Sequence, residues 1–234
     1  MMMNDNMKMN TINKVSFWDK TKKFLQYVYE EYIKFPAFIL AHPLKGFDYF
    51  KREKKARMSV AISFIIITII LRVLEFQYSG FVVNQQNPNE LNTFREIAFI
   101  IFPILLFVVS NWSVTTLFDG KGKMKEIFMM ICYSLFPLII AKIIGLIFSN
   151  IIVEEEVGFY LLIMGLGSFL MVYMLFFGLI SIHEYGVLKC IGSILGTVLA
   201  LLVLLFILLL GFDLFQQIYG FIYTIYREIS LRYL

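Results

Sequence analysis

Five long apolar runs, separated by short polar segments, dominate the pattern of hydrophobic and polar positions along the chain. They cover residues 58–76, 97–118, 127–149, 157–180 and 191–212. Each is about as long as the roughly 20 helical residues that cross the hydrocarbon core of a bilayer. Because a lipid-exposed segment must satisfy its own backbone polar groups, the runs are predicted to be α-helices. The predicted fold class is therefore all-α, a polytopic membrane protein with a five-helix transmembrane domain over residues 58–212.

Residues 16–57, which precede the first run, mix apolar and basic positions at helical spacing. An amphipathic helix is predicted over residues 17–35, and Pro36 is expected to end it or bend it. A second short helix is predicted to begin at Pro43, a favourable residue for a helix start. Its apolar face consists of Leu44, Phe47 and Phe50.

Both short helices are predicted to lie in the cytoplasmic interface of the membrane, with aromatic rings at the acyl boundary and lysines toward the headgroups. A docking surface for a partner protein is the alternative interpretation. Residues 1–15, rich in Met and Asn and without an apolar run, are predicted to be disordered. Residues 213–234 are predicted to form an outer interfacial tail, either as a helix on that interface or as a continuation of the fifth span.

Composition supports the membrane interpretation. The chain is 59% hydrophobic and only 16% charged, with a mean hydropathy of +0.77, whereas a soluble domain carries about 25% charged residues. The net charge is a modest +4, and the basic residues lie beside the apolar runs rather than in a separate basic domain, which argues against nucleic-acid binding. The two cysteines, Cys132 and Cys190, are too few for a zinc site and are interpreted as small apolar residues.

The uneven distribution of positive charge predicts the orientation. With Arg72 and Lys142 left out because they lie inside spans, 16 Lys and Arg fall on the side that carries the N-terminus and three on the other. Positive residues concentrate on the cytoplasmic side of membrane proteins. The N-terminus is therefore predicted to be cytoplasmic and the C-terminus outside, in the plasma membrane.

The short turn between the second and third spans, Asp119 to Glu126, joins them through two glycines and three lysines. It lacks the spacing of a phosphate-binding loop and follows a membrane helix rather than a strand, so nucleotide binding is rejected. Its lysines and the basic run before the first span are instead predicted to contact a partner protein or anionic lipid headgroups. These candidate residues are Lys121, Lys123, Lys125, Lys51, Arg52, Lys54 and Lys55.

A candidate intramembrane polar site consists of Lys142, Glu75 and Arg72. Charged residues inside a span are costly and are functional candidates by default. The spacing of Arg72 and Glu75 allows them to pair on one helix face, and Glu75 also lies at a depth where it could pair with Lys142. A structural role, in which Lys142 extends to the outer surface, is the alternative.

His183 and Glu184, between the fourth and fifth spans, do not form the HExxH pattern of a zinc protease. They are predicted to belong to a solvated loop, and His42 is interpreted as a helix-start residue. No Ser/His/Asp set, Cys/His set or paired catalytic carboxylates are recognisable. No enzyme activity, metal ion or cofactor is predicted.

Several short motifs resemble the bacterial branch of the Ypt/Rab-interacting-protein (Yip) domain family of integral membrane proteins, over about residues 36–211. The central ones are Asn111-Trp112, Thr115-Thr116-Leu117-Phe118, Asp119-Gly120-Lys121-Gly122 and Tyr133-Ser134-Leu135-Phe136-Pro137. Upstream and downstream matches are His42-Pro43, Gly46-Phe47-Asp48 and Ile182-His183-Glu184.

The resemblance implies a five-helix membrane domain with a cytoplasmic N-terminus and an outside C-terminus, and it implies no catalytic residues. Eukaryotic relatives contact prenylated small GTPases, but this chain has no counterpart of their Asp-Leu-Tyr-Gly-Pro segment, which argues against such a partner. Bacterial relatives resemble accessory membrane components, some of them near sugar-type ABC transport genes.

Two functions remain open at this point. A non-enzymatic adaptor or accessory component of a membrane complex, such as an ABC transporter, is favoured. The alternative is a small transporter or channel that uses Lys142 and spans bent at Pro103 and Pro137. An adaptor is preferred because the fourth and fifth spans carry almost no polar side chains that would line a path.

Overall fold

A computed structural model describes residues 20–84, 87 and 90–233. The segment predicted to be disordered, residues 1–15, lies outside the described residues. All regular structure in the described part of the chain is helical, and five helices are long and apolar enough to cross a membrane. The all-α, five-span fold class predicted from the apolar runs is confirmed.

Two helices precede the spans. We label as α1 the helical residues 20–41, in which a π-helical turn, Tyr29–Lys34, leads into the α-helical segment Phe35–Ala41. The helix continues through Pro36, which is the second residue after the wide π turn. The break comes instead at His42, whose backbone leaves the helical region, and α2 (Pro43–Arg52) begins with the proline there.

The spanning helices are α3 (Met58–Tyr78), α4 (Thr93–Leu117), α5 (Met124–Ser149), α6 (Val157–His183) and α7 (Val187–Tyr233). Within α5 the α-helical segments Met124–Ser134 and Phe136–Ser149 meet at Leu135, two residues before Pro137. Pro103 lies inside α4 without ending it.

Two spanning helices, α4 and α5, begin before the predicted apolar runs because capping groups, not hydrophobicity, set their starts. The side chain of Asn92 accepts a hydrogen bond from the backbone N–H of Arg95 at 3.1 Å and starts α4 four residues before its apolar run. At α5, the carboxylate of Glu126 accepts from the backbone N–H of Lys123 at 3.0 Å.

The core of the molecule surrounds α5, of whose apolar window 67% is buried. Tyr133 is fully buried at its centre, and the rings of Phe35, Phe50 and Phe64 meet its ring edge-on at centroid distances of 5.4–5.9 Å. The Tyr133 hydroxyl accepts a hydrogen bond from the backbone N–H of Arg57 at 3.2 Å. Residues from α1, α2, α3 and α5 thus share one aromatic core.

The apolar face of α2 packs on protein, and the placement of this helix at the cytoplasmic interface of the membrane stays a prediction. Phe47 and Phe50 are almost fully buried, and only Leu44 remains half exposed. Gly178 makes room for this contact, because a Cβ atom there would lie 3.1 Å from Cζ of Phe47 and 2.7 Å from Cγ of Met130. The amphipathic pattern of α2 is therefore satisfied by the helix bundle.

The last helix, α7, lies at the edge of the bundle, and only 6% of its apolar window is buried. It packs mainly against α4, where a Cβ atom on Gly196 would lie 2.9 Å from Cγ1 of Val114. Gly192, its partner in the GxxxG spacing, faces open space. Of the two predicted arrangements for residues 213–234, the structure has the continuation of the fifth span, which stays helical to Tyr233.

Candidate functional site

Buried polar side chains gather where the end of α4, the turn after it, the end of α6 and the start of α7 meet. Five of them are at most 3% exposed. Buried polar groups are costly unless they are hydrogen-bonded, so such a group in an apolar bundle indicates a specific network. They are Asn111, Thr115, His183, Ser193 and Thr197.

A directed chain of hydrogen bonds runs through this cluster. The backbone N–H of Gly122 donates to Nδ1 of His183 at 3.3 Å, and Nε2 of His183 lies 3.1 Å from Oδ1 of Asn111. Asn111 Nδ2 donates to Oγ1 of Thr197 at 3.0 Å, and Thr197 donates to the carbonyl of Ser193 at 2.7 Å. Because Nδ1 accepts from an N–H, the ring is assigned as neutral with its proton on Nε2.

The turn after α4 fits against the imidazole only because it carries glycines. Asp119 adopts a left-handed conformation with φ 55°, and the N–H of Gly120 donates to the carbonyl of Thr115 at 2.7 Å. A Cβ atom on Gly120 would lie 2.7 Å from Nδ1 of His183, and one on Gly122 would lie 2.6 Å from its Cε1. These distances are shorter than a methyl group tolerates.

Tyr185 covers the other side of the imidazole. Its ring stacks on that of His183 with a centroid distance of 5.2 Å and an interplanar angle of 21°. Its hydroxyl donates to the carbonyl of Thr115 at 3.4 Å. Burial, together with the nearby carboxylate of Asp119, raises the pKa of the Tyr185 phenol. His183 is thus enclosed by one glycine turn and one aromatic ring.

Glu184 ends α6 in a left-handed conformation with φ 56° and joins three parts of the chain. Its carboxylate accepts from Lys121 at 2.6 Å and from Lys51 at 3.0 Å. Lys51 also donates to the carbonyl of Ile182 at 2.7 Å. The two lysines lower the pKa of the Glu184 carboxyl to about 2. These contacts tie α2 and the glycine turn to the end of α6.

The other basic residues that were predicted to contact a partner protein or lipid are of two kinds. Some interact with other side chains of the protein, and the rest are free. Arg52 pairs with Asp48 at 2.6 Å, and Nζ of Lys55 lies 5.5 Å from the centroid of the Phe35 ring. Lys54, Lys123 and Lys125 are exposed, and no carboxylate of the described part of the chain lies within 4 Å of their ammonium groups. With Lys51, they line a 330 Å³ cavity, whose other lining residues are Phe50, Ala56, Met58, Glu126 and Met129.

A second polar cluster lies at the opposite end of the bundle, within the spans. Lys142 Nζ lies 2.5 Å from Oε2 of Glu75, and Arg72 Nε lies 2.9 Å from Oε2 of Glu96. Arg95 also contacts Glu96, at 3.5 Å. Glu75 therefore pairs with Lys142 and not with Arg72, although Arg72 and Glu75 share a helix.

Two cavities adjoin this cluster, and Lys142 lines both. The smaller one, of 220 Å³, is also lined by Arg72, Glu75 and Tyr160. The larger one, of 530 Å³, has Arg95 and Glu96 in its wall together with two apolar residues. The Lys142 side chain is 13% exposed, so it lies among protein groups instead of extending freely to the surface.

The Yip1 domain family model matches residues 37–210 of the chain, which is most of its length. The chain belongs to the Yip1 domain family. Searches among curated proteins and solved structures give no match. The Yip1 family consists of non-catalytic membrane proteins, and its members interact with other membrane proteins and with Rab GTPases. With five apolar helices, this member is a multi-pass membrane protein.

The Yip1 match contains both polar clusters and extends from the end of α1 to the first half of α7. The motifs that suggested the family are far apart in sequence, yet the structure brings three of them together. Asn111, the glycine turn from Asp119 to Gly122, and the segment from Ile182 to Glu184 meet around the imidazole. The Yip1 motifs at this end of the bundle are therefore parts of one structural unit.

The prediction that His183 belongs to a solvated loop is wrong, because its side chain is 1% exposed and completes the last turn of α6. Sequence reasoning also missed the roles of Asn111, Thr197 and Glu96. A signal was present for the first two, since each is an uncharged polar residue inside an apolar run. His42 lies between α1 and α2, as expected of a helix-start residue, and stacks on Phe38 at 5.4 Å.

Proposed function

We propose that this Yip1 family member is a non-enzymatic adaptor, an accessory component of a membrane complex. The observation that supports this best is the attachment of Lys51 and Lys121 to Glu184, which joins α2, the glycine turn and the end of α6 in one surface. Such a surface is held in shape before a partner arrives, and preorganisation favours binding.

The hydrogen bonding of the cluster argues for a structural role in this surface and against catalysis. Both ring nitrogens of His183 are engaged, one by Gly122 and the other by Asn111. A general base needs a nitrogen within reach of a substrate proton. In this arrangement the imidazole holds the turn in place and offers neither nitrogen to a substrate.

The partner surface in this proposal is the 330 Å³ cavity with the exposed Lys54, Lys123 and Lys125 around it. The proposed orientation places it on the cytoplasmic face of the plasma membrane, with the C-terminus outside, in accord with the positive-inside rule. Anionic lipid headgroups and acidic surfaces of another membrane protein, such as ABC transporter subunits, suit its charge. A small GTPase is not the proposed partner, because the Asp-Leu-Tyr-Gly-Pro segment of the GTPase-binding relatives is lacking.

The adaptor proposal is tested by crosslinking in native membranes, followed by mild solubilisation, affinity capture and mass spectrometry. The variant pair Lys123→Gln with Lys125→Gln neutralises two of the three free lysines, and Lys22→Gln with Lys23→Gln on α1 is the matched control. We expect a stoichiometric membrane-protein partner that the first pair loses and the control retains. Equal recovery of partners by both pairs, or a protein that crosslinks only to itself, would exclude the adaptor as stated.

The second candidate function is a small transporter or channel, and the polar cluster at the other end of the bundle favours it. Lys142 lies between two cavities inside the spans, a common location for a transported polar solute or ion. The test is the flux of small anions into liposomes that contain the purified protein. Transport would be supported if wild type and Lys189→Met show this flux and Lys142→Met does not. No flux above that of protein-free liposomes would exclude it.

A further inference from the structure

The final helix extends well beyond what the membrane and the family domain require. α7 spans Val187–Tyr233, and 47 helical residues at about 1.5 Å each give a length of about 70 Å. The hydrocarbon core of a bilayer is only about 30 Å thick. The Yip1 match ends at residue 210, so the additional part of the helix belongs to this chain and not to the shared domain.

The additional part of α7 carries a heptad pattern. Apolar residues recur at alternating intervals of three and four, the a and d positions of a coiled coil. They are Phe215, Ile218, Ile222, Ile225 and Ile229. The b, c and f positions, on the opposite face, hold mostly polar or small residues, namely Gln216, Gln217, Gly220, Tyr223, Thr224, Arg227 and Ser230.

No other part of the described chain covers this apolar seam. The five side chains at the a and d positions are 41–75% exposed. α7 packs on α4 and, less extensively, on α6, and from residue 212 to residue 229 every residue is exposed. An uncovered apolar stripe of this length indicates an interaction site.

We propose that further copies of this chain cover the seam, so that segments 213–231 associate as a parallel, in-register coiled coil. Copies inserted by the same sequence share one orientation in the membrane, and their α7 helices leave it at the same level. Each a position therefore faces the same a position of its neighbour. Isoleucine at both a and d favours three or four strands over two, and Tyr219 and Tyr226, at e positions, widen the apolar face accordingly.

Charge and continuity argue for copies of the chain rather than a lipid surface. A helix that lies on a membrane is rich in Lys and Arg on its polar face. Segment 213–234 instead has two basic residues, Arg227 and Arg232, and two acidic ones, Asp213 and Glu228. Lying flat would also require α7 to bend where it leaves the bilayer, whereas the helix is unbroken there.

The seam is tested by cysteine substitution and mild oxidation of the full chain in native membranes. Four variants place a cysteine in the seam, namely Ile218→Cys, Ile222→Cys, Ile225→Cys and Ile229→Cys. Three place one on the opposite face, namely Gln216→Cys, Thr224→Cys and Arg227→Cys. Wild type gives the background, because Cys132 and Cys190 are both fully buried. We expect disulfide-linked dimers at the seam positions at least fivefold above those on the opposite face. Equal crosslinking on both faces, or none on either, would overturn the proposal.

A measurement of mass in detergent provides the second test and does not depend on the proposed function. Ile222→Asn with Ile225→Asn places amides in the seam, and Tyr223→Asn with Thr224→Asn is the matched control on the opposite face. Light scattering is expected to show an oligomer for wild type and control and a monomer for the seam variant, each with unchanged helix content. A monomeric wild type across the accessible concentrations, or a seam variant as large as the control, would contradict the proposal.

Discussion

Nε2 of His183, at the last residue of α6, donates a hydrogen bond to Oδ1 of Asn111, near the end of α4, across 72 positions of sequence and 3.1 Å of space. This bond leaves Nδ1 free to accept from the N–H of Gly122. One neutral imidazole therefore holds together two spanning helices and the turn that follows one of them. The shape of the basic surface at this end of the bundle depends on that bond.

Replacing His183 by alanine is expected to destabilise the protein by about 1–3 kcal/mol, because it leaves a buried oxygen of Asn111 and the half-buried N–H of Gly122 without partners. Thermal unfolding in detergent measures the effect. His42→Ala removes an exposed imidazole and is the matched control. If both variants unfold at the same temperature, the imidazole does not support this end of the bundle.

Gly122→Ala is expected to destabilise the protein by about 1–3 kcal/mol, since the new methyl group would lie 2.6 Å from Cε1 of His183. Gly165→Ala on α6 meets nothing within 4 Å and is expected to stabilise its helix by about 0.5–1 kcal/mol. Unfolding temperatures of the two variants should therefore move in opposite directions. A stabilising Gly122→Ala would mean that the turn does not pack on the imidazole as described.

The ion pairs of Glu184 predict that the stability of the folded protein depends on pH. Lys121 and Lys51 lower the pKa of its carboxyl from 4.5 to about 2. Because the folded-state pKa is the lower one, the stabilising contribution is fully present above about pH 4.5 and is lost as the pH falls toward 2. The difference in unfolding temperature between wild type and Glu184→Gln should thus be constant from pH 7 to 5 and should shrink below pH 4.5.

Glu155→Gln is the control for that experiment, because Glu155 is an exposed carboxylate at the opposite end of the bundle. His183 is present in every variant, so its own titration cancels in the differences. If the difference in unfolding temperature between wild type and Glu184→Gln already disappears between pH 7 and 6, a group other than the Glu184 carboxyl controls the contact with the two lysines.

The sequence was sufficient for the number of spans and for the fold class. The apolar runs determine both, because length and hydrophobicity alone decide whether a helix can cross a bilayer. The ends of the helices were harder to predict from the sequence. For example, α4 starts at a cap formed by Asn92, a residue outside the apolar pattern. The contacts of the apolar face of α2 could not be predicted from the sequence, because such a face fits lipid and protein equally well and only the packing of Phe47 distinguishes them.

The polar cluster around His183 could not be assembled from sequence, because its members are separated by up to 86 positions. A histidine beside a glutamate at the end of an apolar run is typical of an exposed loop. Its burial follows from the approach of the glycine turn, which depends on the relative positions of α4 and α6. The sequence allowed Glu75 to pair with either Lys142 or Arg72. The predicted depth of these residues in the membrane did not distinguish the two pairings, and the structure has the pair with Lys142.

The ion pair between Lys142 and Glu75 should be strongly coupled, because the two side chains are only 13% and 10% exposed. Removing one partner leaves a largely buried charge without compensation, at a cost of about 3–5 kcal/mol, whereas removing both avoids that cost. We therefore expect Lys142→Met and Glu75→Gln each to lower the unfolding temperature clearly, and the double variant to recover much of the loss.

The double-mutant cycle separates coupling from simple loss of packing. Additive effects of the two substitutions would contradict a direct ion pair. Arg72→Met with Glu75→Gln is the matched control cycle on the same helix, because Arg72 pairs with Glu96 and not with Glu75. A coupling energy in this control as large as that between Lys142 and Glu75 would mean that the cluster acts as one network of charges, and it would assign the stabilisation to the whole group instead of one pair.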